Sequence, residues 1–444
     1  MLKCSMKRKS SGLIIAAPAS GSGKTIITLG LIAALKKNGF IIAPAKVGPD
    51  YIDPSYLAAA ADTPCLNLDP WAMRPETIAG NCFSLTQAAP LIICEGVMGL
   101  FDGTRDGKNS TADLSASTGW PVILVVDVKG QAASAAAIVT GFTSYRNDLK
   151  FCGVIFNRVG GEKHRQSISH AMKKTLPDMP ILGYVPRSVE LQVVERHLGL
   201  VQASENKEIS ELLSTASKLI ENNIDIKRVA NLAQNTKIGL QKQKGNLAPL
   251  GQHIAVAKDV AFSFSYENIL HGWRQQNAEV SYFSPLADEK PSSNADAIYL
   301  PGGYPELYAE QLANNKIFLA GLKNAAKRSF IYGECGGFMV LGKTIIDKSG
   351  KNHLMTGLLP LESSFSSPKL HLGYREVTSC FNTPLGPLGQ RFRGHEFHYS
   401  CSRNLAPHTK SLFSCMDANR CSLGPSGLFA EGVAGSFVHL VDEA

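Results

Sequence analysis

The chain has 444 residues, 44% of them hydrophobic and 18% charged, and a formal net charge of +8. That length holds two or three domains, each with a core of its own, and the apolar-to-charged balance excludes a disordered chain. No apolar run reaches the roughly 18 residues of a membrane-spanning helix, and the basic excess lacks the long Lys/Arg block of a nucleic-acid binder.

Residues 1–11, which contain Lys7-Arg8-Lys9, read as a disordered basic tail. The apolar residues 13–17 and the following Pro18-Ala19 mimic a secretory signal, but the apolar part is too short and runs directly into a phosphate loop. A strand over 13–17 leads through Pro18-Ala19-Ser20-Gly21-Ser22-Gly23-Lys24-Thr25 into a helix over 26–37. In such a loop backbone N–H groups face phosphate oxygens, the lysine reaches the outer phosphates, and the threonine hydroxyl serves Mg²⁺. Pro18 stands where the usual pattern has its first glycine, so the loop is a variant. Residues 20–25 are the expected ATP-binding stretch.

Further strands are expected over 41–47, 91–94, 122–127, 152–157 and 181–185, with helix-length spacers that favour parallel pairing. Ligands of parallel sheets collect at the carboxyl ends of the strands, where Asp50, Glu95 and Asp102 lie. Asp50 and Glu95, with Thr25, are the candidate Mg²⁺ ligands; the plainer reading makes these acids turn and N-cap residues. Asn157 closes the fifth predicted strand and is a candidate for an adenine edge.

From 204 to 244 the sequence turns polar and helical, and 241–246 reads as a connector. The expected division is a tail over 1–11, one domain over 12–245 that ends in this linker, and a second over 246–444. There the α/β rhythm restarts, with strands over 253–258, 279–283 and 297–300 and helices over 267–277 and 306–314. Two Rossmann-like units of different design are therefore expected.

An apolar strand then runs through Gly333 and Glu334 into Cys335-Gly336-Gly337. This is the pattern of a nucleophile elbow, in which glycines permit the sharp bend. A thiol is only a few per cent ionised at neutral pH, so a nucleophilic Cys335 needs a base. His439, at the end of an apolar strand over 436–438, is the candidate, and the bare backbone of Gly302-Gly303 is the candidate oxyanion hole. His395 and His398 alternate along one strand, which argues against a shared zinc ion. Ten cysteines without any CxxC pair fit a reduced, cytoplasmic setting.

Seven stretches together resemble cobyrinic (or hydrogenobyrinic) acid a,c-diamide synthase: residues 17–25, 47–54, 95–103, 196–200, 300–306, 333–337 and 393–398. The resemblance implies an N-terminal dethiobiotin-synthetase-like P-loop domain and a C-terminal class I-type glutamine amidotransferase domain. It implies Cys335 as glutaminase nucleophile, His439 as its activator, Lys24 and Thr25 in the ATP/Mg²⁺ loop, and Asp50, Tyr51, Glu95 and Asp102 in the synthetase site. Val441 stands where ordinary class I amidotransferases have a glutamate, which leaves Asp442 as an open third member.

The implied reaction is ATP-dependent amidation of two corrinoid acetates with glutamine nitrogen, with Mg²⁺ as cofactor and without nucleic acid or membrane. A homodimer is left open. The alternatives are a nickel-sirohydrochlorin a,c-diamide synthase and a P-loop switch ATPase with an inactive amidotransferase module. Cobyric acid synthase shares the two-part plan but differs at 47–54.

Overall fold

The computed structural model describes residues 10–188, 209–239 and 245–444. Most of the predicted tail, the 196–200 motif and most of the 241–246 connector lie outside the described residues. The chain forms two compact units, the first of residues 1–71 and 78–243, the second of residues 72–77 and 244–444. Among the described residues no helix is long and apolar enough to cross a membrane.

The first unit is built on strands β1 (Ser11–Ala16), β2 (Ile42–Val47), β3 (Leu66–Leu68), β4 (Leu91–Glu95), β5 (Val122–Asp127), β6 (Phe151–Val159) and β7 (Ile181–Pro186). They pair in parallel in the order β3-β2-β4-β1-β5-β6-β7, and a short β8 (Gln234–Asn235) joins β1 antiparallel. The central strands are continuous apolar runs, as sheets covered on both faces require, and β1 and β4 are buried almost throughout. With β1 between β4 and β5, the loop before helix α1 (Lys24–Lys37) and the end of β4 share one edge. At three residues, Leu66-Asn67-Leu68 is too short to show a pattern, and the sequence reading misses β3.

The described part of the polar stretch, residues 209–239, belongs to this unit. Helix Ile209–Asn223 packs on α1 through buried Leu212, Ala216 and Ile220, and its Glu221 accepts from Lys37 Nζ at 2.8 Å. The fourfold spacing of those apolar residues is obscured in the sequence by the polar ones around them.

In the second unit β9 (His253–Ala257), β10 (Glu279–Phe283), β11 (Ala297–Leu300) and β12 (Phe330–Glu334) pair in parallel in the order β10-β9-β11-β12. Strand Val433–Ser436 continues the sheet in parallel beside β12, and Leu428–Ala430 ends it antiparallel. The predicted helix over 306–314 is divided into a tight 3-10 turn, Pro305–Tyr308, and helix Ala309–Asn314. Ile298, Leu300, Phe318, Ile331, Phe338 and Leu341 form the core between this sheet and its helices.

The unit also contains a five-stranded antiparallel sheet and a four-stranded mixed sheet that the sequence reading does not anticipate. The five-stranded one includes His371–Ser379, Arg391–His398 and Val438–Glu443. This corrects the placement of His439, expected at the end of a strand over 436–438. The first strand stops at Ser436, and His439 lies early in the next, directly opposite His395.

Candidate functional site

The first unit gathers a phosphate loop and an acid cluster. Lys24 Nζ donates to the carbonyls of Met98 (2.6 Å) and Ala19 (3.4 Å), and burial lowers its pKa. Ser22 Oγ donates to Ala19 O at 2.8 Å. Ser20 and Gly21 are exposed, Gly23 is buried, and Gly21 O accepts from Arg158 Nη1 at 2.9 Å. Asn157, expected at an adenine edge, gives its Nδ2 hydrogen to Ser22 O at 2.9 Å and so braces the loop. Arg158, which sequence reasoning left without a role, also pairs with Asp127 at 2.5 Å.

Thr25 Oγ1, expected at Mg²⁺, donates to Glu95 Oε1 at 2.7 Å. Glu95 is fully buried, which raises its pKa, and its Oε2 has no hydrogen-bond partner among the described residues. A carboxylate oxygen in need of a partner beside a threonine hydroxyl fits a hard divalent cation. Asp50 is differently engaged: its Oδ1 accepts from Ile52 N (2.8 Å) and Asp53 N (3.3 Å) at the start of helix α2 (Ile52–Ala61). Burial, then Asp53, lifts Asp50 to about 7. Asp102 is exposed and accepts from Gly99 N at 2.8 Å, and half-buried Tyr51 stands at the head of α2.

Sequence reasoning missed Lys46. Its Nζ lies 2.5 Å from Asp53 Oδ2, 2.9 Å from Glu95 Oε1 and 4.0 Å from Asp50 Oδ2. Burial works against its charge, but Asp53 and then Glu95 hold its pKa well above the usual lysine value. The available signal was a lysine within an apolar strand, a short turn ahead of the acids Asp50 and Asp53.

In the second unit Cys335 sits at the bend between β12 and helix Gly336–Leu341 with φ 48° and ψ −106°, a conformation held by the surrounding packing. Its N–H donates to Ser436 O at 2.8 Å, and its buried Sγ lies 3.6 Å from Phe397 O. The backbone N–H groups of Gly336 and Gly303 face the sulfur. Gly303 was an expected oxyanion donor; Gly336, the residue after Cys335, was not considered. Gly302 lies against both Cys335 and His439: a methyl there would collide with His439 Cε1 and stand 3.1 Å from both Cys335 Cβ and His439 Nε2. Gly302→Ala should therefore cut glutamine hydrolysis by about 10²-fold or more. Ammonia-dependent product formation, assayed in parallel, should be spared.

Burial pushes the Cys335 thiol well up, helped by Glu306 and Glu396, and pushes His439 down to about 3. Burial thus favours the neutral form of both groups. Asp442 is not a third member. Its carboxylate accepts from Arg74 N (2.8 Å) and Arg74 Nη2 (2.7 Å). The carboxylate near His439 is Glu334, with Oε2 3.8 Å from Nδ1, Oε1 accepting from Leu440 N (3.0 Å) and Oε2 from Tyr299 Oη (2.7 Å).

Burial lifts Glu334 from 4.5 to about 7 against those hydrogen bonds. The folded chain thus holds this proton more tightly than the unfolded chain, so the associated stability is complete below about pH 4.5 and is lost as pH rises through 7. Relative to wild type, Glu334→Gln should gain up to about 3 kcal/mol between those limits. Urea unfolding at pH 5 and pH 8 checks it, and a constant gap contradicts it.

His371, Glu396 and His398 bring donor atoms within 4.8 Å of one another. The two imidazoles stack within 7° of parallel, so one ion cannot lie in the plane of both rings. Glu396 instead pairs with Arg375 (2.6 Å) and His398 (2.9 Å).

Residues 13–201 match the CobQ/CobB/MinD/ParA nucleotide binding domain, and residues 253–444 match the CobB/CobQ-like glutamine amidotransferase domain. The chain is 48% identical over 438 residues to the hydrogenobyrinate a,c-diamide synthase of Brucella abortus biovar 1 (strain 9-941), covering 97% of this chain and 98% of that protein. The protein of that name from Rhizobium meliloti (strain 1021) is 47% identical over 436 residues, covering 97% and 99%. That of Agrobacterium fabrum (strain C58 / ATCC 33970) is 43% identical over 433 residues, covering 97% and 98%. With a phosphate loop in one unit, a cysteine elbow in the other and this likeness end to end, the chain belongs to the hydrogenobyrinate a,c-diamide synthase family.

Proposed function

We propose that the protein amidates the a and c acetate carboxylates of hydrogenobyrinic acid, using ATP to activate each acid and glutamine as the nitrogen source. The observation that carries this reading is the convergence of Cys335, His439 and the Gly302-Gly303 backbone in a chain whose other unit holds the phosphate loop. The relatives' printed name favours this macrocycle over nickel-sirohydrochlorin.

A carboxylate resists ammonia because it is anionic and lacks a leaving group. Transfer of the γ-phosphoryl group of ATP to the acetate oxygen removes both obstacles. In the domain formed mainly by residues 12–245, Lys24 exchanges its carbonyl partners for phosphate oxygens and offsets charge on the transferred group. Thr25 and Glu95 would hold Mg²⁺, which supplies electrostatic stabilisation of the phosphates, and Asp50, Tyr51 and Asp102 border the acid to be activated. Lys46 favours the ionised forms of Asp53 and Glu95.

In the domain of residues 246–444, Sγ of Cys335 attacks the glutamine amide carbon while its proton passes to His439 Nε2. The N–H groups of Gly303 and Gly336 receive the developing oxyanion. The C–N bond breaks, His439 returns the proton to the leaving ammonia, and water releases glutamate from the thioester. Ammonia stays nucleophilic only while unprotonated, so it must reach the acyl phosphate shielded from water.

This chemistry belongs to the cytoplasm, where ATP and glutamine are supplied. A homodimer is the assembly proposed for it, and light scattering reads that directly. Purified protein given ATP, Mg²⁺, glutamine and hydrogenobyrinic acid should convert OH to NH₂ twice, seen by mass spectrometry. A switch ATPase with an inert second unit would release no glutamate.

A further inference from the structure

Glu306 lies three residues beyond Gly303, on the turn whose Pro305 packs against the elbow: a methyl at Gly336 would stand 2.7 Å from Pro305 Cδ and 3.0 Å from Gly303 N. Its Oε2 is closed off from solvent and has no hydrogen-bond partner among the described residues. Of the charges that bear on the Cys335 thiol, Glu306 acts most strongly, ahead of Glu396. Glu396 is already satisfied by Arg375 and His398. Lys348 favours the ionised form of Glu306, but no cation pairs with it among the described residues.

A half-buried carboxylate with one oxygen shut off from water, beside a nucleophile that must become an anion, is unfavourable twice over unless a cation arrives with the substrate. Glutamine brings one. Its α-ammonium lies roughly 5 Å from the amide carbon in the extended conformer. We propose that Glu306 receives the α-ammonium of L-glutamine while the amide carbon meets Cys335, so that the site selects an amino-acid amide over a simple carboxamide.

Burial holds Glu306 at about 7 and the thiol well above its usual range. An ammonium between them favours the ionised form of both, so the correct substrate arms the nucleophile that it meets. An amide without the ammonium leaves Glu306 unpaired and the thiol protonated.

The inference rests on Cys335 as nucleophile, and the test separates the two. Hydrolysis of L-glutamine and of glutaramate, which lacks only the α-amino group, is measured in wild type, Glu306→Gln, Glu306→Asp and Cys335→Ala. Ammonia-dependent amidation reports on folding. Wild type should prefer glutamine by about 10³-fold or more. Glu306→Gln should lose about 10²-fold in kcat/KM for glutamine and change less than about threefold with glutaramate, and Glu306→Asp should recover part of the preference. Equal losses with both amides, or an unchanged preference, overturn the ammonium assignment. Hydrolysis that survives in Cys335→Ala overturns instead the nucleophile on which it rests.

Discussion

Replacing Cys335 with alanine should lower glutamine-dependent amidation by at least about 10³-fold while leaving amidation with free ammonia within about twofold of wild type. In the proposed scheme the thiol forms the bond that splits glutamine, and neither His439 nor the backbone donors can replace it. Activation of the acetate, by contrast, uses residues of the other unit. The methyl side chain of alanine is smaller than the thiol and fills no new space at Gly302, so the fold has no reason to change. Parallel loss of both activities in a correctly folded variant would contradict the division of labour. Initial rates with glutamine and with an ammonium salt at alkaline pH, where the free base is plentiful, read it directly.

Lys24→Ala should show the reciprocal pattern. Loss of the ammonium that offsets charge on the transferred phosphoryl group should cost about 10³-fold or more in amidation from either nitrogen source. Glutamine hydrolysis at Cys335 should persist. In the protein Lys24 is tied to Met98 O and Ala19 O, contacts that hold the side chain buried beside Glu95 without cancelling its charge. Measured ADP formation and glutamate release, side by side, distinguish this outcome from general damage, which would lower both.

The sites were readable in the sequence where their residues are contiguous. The phosphate loop is one run from strand to helix, and Cys335 is flagged by its own glycines. His439 was found as a histidine near a strand boundary, though the boundary itself was misplaced by the break at Phe437. What escaped depends on distant segments. Glu334 stands in the elbow itself, yet its environment comes from Tyr299 and Leu440, brought in by β11 and the last strand. Asp442 looked suitable by number, but the register slips by one residue between it and His439, and its carboxylate is taken up by Arg74. Lys46 acquires its meaning only when β2 pairs with β4 and sets it opposite Glu95. The two additional sheets were illegible because strands such as His371–Ser379 mix charged and apolar residues with no long run of either.

The most direct test of the central claim supplies glutamine labelled with ¹⁵N at the amide, together with unlabelled ammonium, ATP, Mg²⁺ and hydrogenobyrinic acid. The account predicts product that carries heavy nitrogen at both new amides, with ATP consumed and glutamate released in step. Product that carries only unlabelled nitrogen, or heavy amides formed equally well without ATP, would contradict it.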